Sequence, residues 1–156
     1  MKNQTCCFTG HRQLPKDKLD HIVARLDCEI NALIARGVTH FISGCALGFD
    51  QIAASLILTK KEQGTPVTLT LALPCKDQDA LWNERQKRLY RRLLSAADEI
   101  YYVSEIYDED CMKRRNMYMA DQAAYCICAY IRPYGGTAQT VRYARRRGLT
   151  VINVAE

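Results

Sequence analysis

The sequence has no Cys-x-x-Cys pair, no tract of about 20 apolar residues, no internal repeat and no low-complexity stretch. Each absence removes a class of protein. The longest uncharged apolar stretches, 67–73 and 125–131, are far shorter than a membrane helix requires. Residues 1–8 lack the apolar run and cleavage pattern of a secretory signal, so the expected compartment is the cytoplasm. His11, His21 and His40 are scattered without ligand spacing, and neither a metal nor a cofactor is expected. The Gly-x-Gly-x-x-Gly turn of dinucleotide dehydrogenases is missing, as is the Gly-x-x-x-x-Gly-Lys-Ser/Thr phosphate loop. Hydride transfer and P-loop hydrolysis are therefore disfavoured.

What is present fits one ordinary α/β domain over residues 1–156: hydrophobic residues make up 48% and charged residues 25%. Eight cysteines would frame a disulfide scaffold in a short secreted chain. Here Cys6, Cys7, Cys28, Cys126 and Cys128 lie within apolar segments, and reduced, buried thiols are expected. The net charge of +5 is spread evenly, with nine basic and seven acidic residues in 1–78 and thirteen and ten in 79–156. Such a balance suits an anionic small ligand and permits nucleic acid. A homo-oligomer is compatible with it; a membrane partner is not expected.

Short runs rich in β-branched and aromatic residues alternate with helical periodicity. Strands are expected at 5–9, 38–43, 67–73, 99–103, 125–131 and 150–154. Helices are expected at 16–36, 49–63, 77–97, with Asp77 as N-cap, 112–124 and 137–147. Strands bare of charge, each followed by a helix, predict a Rossmann-like doubly wound, mostly parallel sheet of about six strands with helices on both faces. Ligands of such sheets bind beyond the carboxyl ends of the strands.

Small and polar residues collect there: Gly10, His11 and Arg12 after the first strand, Ser43, Gly44, Ala46, Gly48 and Asp50 after the second. Pro74 follows the third strand, and Gly135, Gly136 and Thr137 follow the fifth. Glycines let backbone approach a ligand, and helices starting after Gly48 and Gly136 aim free N–H groups at an anion. Arg12 and the 114–116 run, with Arg115 and Asn116, are candidate phosphate clamps. Trp82 is read either as a base-stacking cover or as core. Arg85, Arg88 and Arg92 form a helical stripe that is either a solvated face or a track for a nucleic-acid backbone. Cys45 and Cys75 are rim thiols with no histidine placed to activate them.

This ordered set, continued by Tyr118-Met119-x-Asp121 and Gly135-Gly136-Thr137-x-x-Thr140, resembles the YpsA-like branch of the SLOG superfamily. DprA/Smf proteins and LOG phosphoribohydrolases belong to the same superfamily. The resemblance implies a Rossmann-like domain that binds a nucleotide or nucleotide-derived ligand, either sensing or processing it. LOG-type enzymes carry Pro-Gly-Gly-x-Gly-Thr-x-x-Glu, and Thr140 falls where that glutamate would stand. A binding or sensor role is thus the favoured expectation. An N-glycosidic hydrolase using Asp50 or Asp121 as its catalytic carboxylate is one alternative, and a DprA-like nucleic-acid module is the other.

Overall fold

The computed structural model describes residues 2–156. The first strand, β1 (Thr5–Gly10), is followed by α1 (Leu19–Ala35), β2 (His40–Ser43), α2 (Phe49–Glu62), β3 (Thr68–Leu73) and α3 (Glu84–Ala96). The chain continues through β4 (Glu99–Tyr102), α4 (Cys111–Asp121), β5 (Tyr125–Ala129), α5 (Gly136–Arg146) and β6 (Thr150–Asn153). A short 3-10 turn, Lys2–Gln4, leads into β1. The six strands form one all-parallel sheet in the order β4-β3-β2-β1-β5-β6, a Rossmann-like α/β architecture.

Alternation along the strands divides the core. Cys6, Phe8, Phe41, Leu69, Leu71 and Ile127 face α1, α2 and α3, which contribute Ile22, Leu26, Ile30, Phe49, Ile57 and Leu93. Cys7, Ile42, Ala72, Cys126 and Cys128 face the other way, against Met119 and Ala120 of α4 and Val141 and Ala144 of α5. Small side chains dominate this second layer, which lets α4 and α5 sit close to the sheet.

Several boundaries differ from expectation. The helix expected from Lys16 starts at Leu19, because Pro15 to Lys18 form a turn closed by Lys18 N–H to the Pro15 carbonyl, 3.0 Å. The helix expected from Asp77 starts at Glu84. Asn83 caps it reciprocally with Gln86, which satisfies two N–H groups at once, whereas 77–82 are turns. All eight cysteines are free thiols, and Cys28 is exposed, contrary to the expectation from its apolar neighbours. It occupies a solvent-facing position of α1, whose buried stripe is Ile22, Leu26, Ile30 and Leu33.

Candidate functional site

From β1 the chain winds outward through β2 and β3 to β4, then returns to the far side of β1 as β5, so the topological switch lies between β1 and β5. His11 spans it. Its Nε2 accepts hydrogen bonds from the backbone N–H groups of Ile131 and Arg132, both at 3.3 Å. The His11 carbonyl also accepts from Phe49 N–H at the start of α2, 3.2 Å. Accepting at Nε2 requires a neutral ring with its proton on Nδ1. Burial and then the Arg132 charge hold its pKa below the usual histidine value, as this role demands. One residue, through its ring and its backbone carbonyl, therefore ties together three loops of the rim.

Beside this tie lies a cleft of about 660 Å³, walled by Arg12, Leu47, Pro74, Gln78, Trp82 and Tyr107, with Met112 at the start of α4. Its lining combines a cation with apolar and aromatic side chains. Arg12 is exposed and has no carboxylate at ion-pair distance among the described residues. At the mouth stand Leu81, 98% exposed, and Tyr107, 62% exposed. Trp82 is half-buried and meets Tyr90 edge-on, with ring centroids 5.0 Å apart, so it serves as wall and core together.

The turn from Ser43 to Asp50 forms a buried shelf next to the cleft. Ser43 Oγ donates to the Asp50 carbonyl (2.7 Å) and accepts from Cys45 N–H (3.2 Å). Gln51 donates to the Cys45 carbonyl at 3.2 Å. Arg115, 3% exposed, reaches over from α4 and donates to the carbonyls of Gly44 (2.8 Å) and Ala72 (3.2 Å). The glycines here answer to protein packing: a Cβ on Gly10 would strike the Phe49 ring, and one on Gly44 the Arg115 guanidinium. Gly48 has φ +86°, and a Cβ there would strike the backbone carbonyls of His11 and Arg12.

Asp50 is 6% exposed in the first turn of α2, and its Oδ1 is buried without a hydrogen-bond partner among the described residues. Burial raises its pKa to about 6, against the opposing pull of Arg115, a hydrogen bond from backbone Ala46 and the Arg12 charge. Gln78 repeats the pattern. Its Nε2 donates to Tyr90 Oη at 3.1 Å and, at 3.5 Å, to the Gly44 carbonyl, while its buried Oε1 has no partner.

The remaining expected site residues separate. Arg115 is committed internally, and Arg114 is paired in bidentate fashion with Asp108, so neither is a free clamp. Asn116 accepts from Arg115 Nε (2.8 Å) and, with Thr140, lines a different groove between α4 and α5. Thr140 Oγ1 is spent on the Gly136 carbonyl, 2.8 Å, and Thr137 is buried. Gly135 and Gly136 open onto space: a Cβ on Gly136 would meet only Asn116 Nδ2, at 4.0 Å. Asp121 ends α4 at the amino edge of the sheet, bound by Tyr143 Oη (2.7 Å) and Arg147 Nε (3.2 Å). That position removes it from the carboxyl rim and from any shared chemistry with Asp50. Cys45 and Cys75 are buried and burial raises both thiol pKa values, that of Cys45 to about 12. Among the described residues no group of three or more metal-binding side chains is found. Nor is any helix long and apolar enough to cross a membrane.

Gln78, Leu47, Met112 and Tyr107 were not legible as site residues. Placing 77–97 in one helix hid Gln78, and the segment after β4 carries no glycine to mark it as a ligand loop.

An all-parallel sheet with this rim, its loops converging on the carboxyl edge, defines a Rossmann-like α/β domain. The chain belongs to the YpsA family: the YpsA model, described as the YspA SLOG family, matches residues 6–147. It is 31% identical over 143 residues to the SPbeta prophage-derived protein YoqJ of Bacillus subtilis, covering 84% of this chain and 80% of that protein. A UPF0398 protein of Bacillus pumilus is 26% identical over 121 residues, covering 76% and 65%. Among solved structures, DNA processing protein A (DprA) of Streptococcus pneumoniae superposes with a TM-score of 0.69 at 18% identity, over 96% of this chain and 50% of that one. DprA of Helicobacter pylori, solved for its single-stranded DNA binding mode, gives the same score and identity, over 96% and 64%. At these identities the likeness is one of fold, and this chain spans about half to two thirds of those proteins.

Proposed function

We propose that the chain binds a phosphorylated, nucleotide-like small molecule in the carboxyl-edge cleft and releases it unchanged. The observation that carries this reading is the mixed lining of one cavity, which combines the guanidinium of Arg12, unpaired among the described residues, with Tyr107, Trp82 and Leu81. A phosphate suits the cation, and a flat base suits the aromatic mouth. The cleft's volume of about 660 Å³ lies within the range for small-molecule sites. Turnover is not part of the proposal. Thr140 supplies no carboxylate where the LOG pattern has one and Asp121 sits at the other edge, so Asp50 is the one expected carboxylate left near the cleft, and burial favours its neutral form over the negative group that glycosidic cleavage calls for.

The test is a thermal-shift and calorimetric screen of nucleoside mono-, di- and triphosphates, with product analysis of every ligand that binds. A ligand bound only by the folded state adds about 2.7 kcal/mol at a hundred times its Kd. Stabilisation lost in Arg12→Ala and Tyr107→Ala, without release of base, is expected. Flat melting curves at millimolar ligand would end the reading, and mutation-sensitive base release would replace it with hydrolysis.

A second reading has an observation of its own. Arg85, Arg88 and Arg92 line a groove against α2 that shares Gln86 with the cleft, and no carboxylate pairs with them among the described residues. A polynucleotide entering the cleft would find cations along its backbone path. Oligonucleotide binding that weakens steeply with salt and with Arg88→Ala, while mononucleotides bind poorly, would favour it.

A further inference from the structure

We infer that the site selects ribonucleotides over 2′-deoxyribonucleotides, through two buried acceptor oxygens, Asp50 Oδ1 and Gln78 Oε1, that await the donors of a vicinal diol. The inference rests on the nucleotide reading of the cleft and deepens it. Buried side-chain oxygens without partners are rare, because each forfeits the hydration it had in the unfolded chain. Among the described residues only these two side-chain atoms are in that position. Both belong to one neighbourhood. Gln78 lines the cleft and donates to the Gly44 carbonyl, which also accepts from Arg115, and Arg115 and Arg12 are the charges acting on Asp50.

Both atoms are acceptors, which decides the chemistry of the partner. A phosphate brings only acceptors and would be repelled by Asp50; a hydroxyl or an amine brings a donor. Position separates the last two. Asp50 lies behind the cleft wall in the first turn of α2, just after Gly48, which packs against the Arg12 carbonyl, so it is next to the residue that would hold the phosphate. In a nucleoside 5′-phosphate the group next to the phosphate is the sugar. Two acceptors there match two neighbouring hydroxyls, and a 2′-deoxy sugar leaves one of them unmet. Arg12, exposed and without a carboxylate at ion-pair distance among the described residues, is free to turn onto the phosphate.

The experiment compares the affinities of AMP, GMP, CMP and UMP with those of dAMP, dGMP, dCMP and dUMP, by calorimetry on the whole chain. For the base that binds best, the ribonucleotide should bind about ten- to a hundredfold more tightly than its deoxy counterpart. In Asp50→Ala, which removes the acceptor, the ratio should fall toward one in a protein whose far-UV spectrum is native. In the wild type the ratio should also shrink between about pH 7.5 and pH 5. Asp50 protonates within that span, while Cys45, which faces it, is held as the neutral thiol by burial and Arg115 keeps its charge. Equal affinity of the two sugars in the wild type overturns the inference and leaves the nucleotide reading standing. Binding by none of the eight at millimolar concentration overturns both.

Discussion

At the scale of single residues, Asp50 is a site where stability is given up. Its folded pKa of about 6 lies above the ordinary 3.8, so the folded chain keeps a proton that the unfolded chain has released between about pH 4 and 6. Stability therefore falls as pH rises through that window. Asp50→Asn should stabilise the protein by about 1–3 kcal/mol near pH 7 and by little near pH 4, read from urea unfolding at both. Two glycines give a second contrast. Gly48→Ala forces a side chain into a left-handed backbone and onto the His11 and Arg12 carbonyls, and should cost about 2–4 kcal/mol. Gly136→Val has room and should keep the native far-UV spectrum and, within about 1 kcal/mol, the native stability. The sequence shows both as glycines after strands. It cannot show that one is fixed by backbone contact and the other faces open space, because that difference comes from residues 11 and 12 in one case and 116 in the other.

At the scale of elements, α3 depends on its cap. It buries only Tyr90 and Leu93, carries five cations on thirteen residues, and begins at the Asn83–Gln86 box. Asn83→Ala should cost about 1 kcal/mol, with faster amide exchange confined to the first turn of α3. Periodicity made all six strands and five helices legible, since each strand is a charge-poor run and each helix buries one stripe. It failed at 77–82, where Asp77, Asp79 and Trp82 continue a helix-like spacing into turns. The capping choice between Asp77 and Asn83 is settled by Gln86, three residues past Asn83. The candidate site was half legible for the same reason. Arg12, Pro74 and Trp82 line the cleft as residues after strands should, whereas Arg115 looks in sequence like one more surface arginine. Nothing in its neighbours announces that α4 buries it to hold the Gly44 and Ala72 carbonyls.

At the scale of the whole molecule, Arg115 is a bolt between layers, joining α4 on one face of the sheet to the ends of β2 and β3. Arg115→Met fills the space but takes the buried donor from the Ala72 carbonyl and leaves the Gly44 carbonyl only the long bond from Gln78, and should cost about 2–4 kcal/mol in urea unfolding. It should also push the Asp50 pKa above about 6, because Arg115 is the largest influence holding it down, a shift readable in the Asp50 carboxyl resonance. The strand order has a consequence of another kind. β1 pairs with β2 at residues 40–42, but its other neighbour, β5, is residues 125–129. During synthesis the central strand leaves the ribosome well before β5, and one flank stays bare until about 120 further residues have been translated. Nascent chains stalled before residue 125 should thus display the free edge of Thr5–Gly10, with Cys7 beside it, and recruit holding chaperones. Chains stalled with residue 156 well clear of the exit tunnel should not.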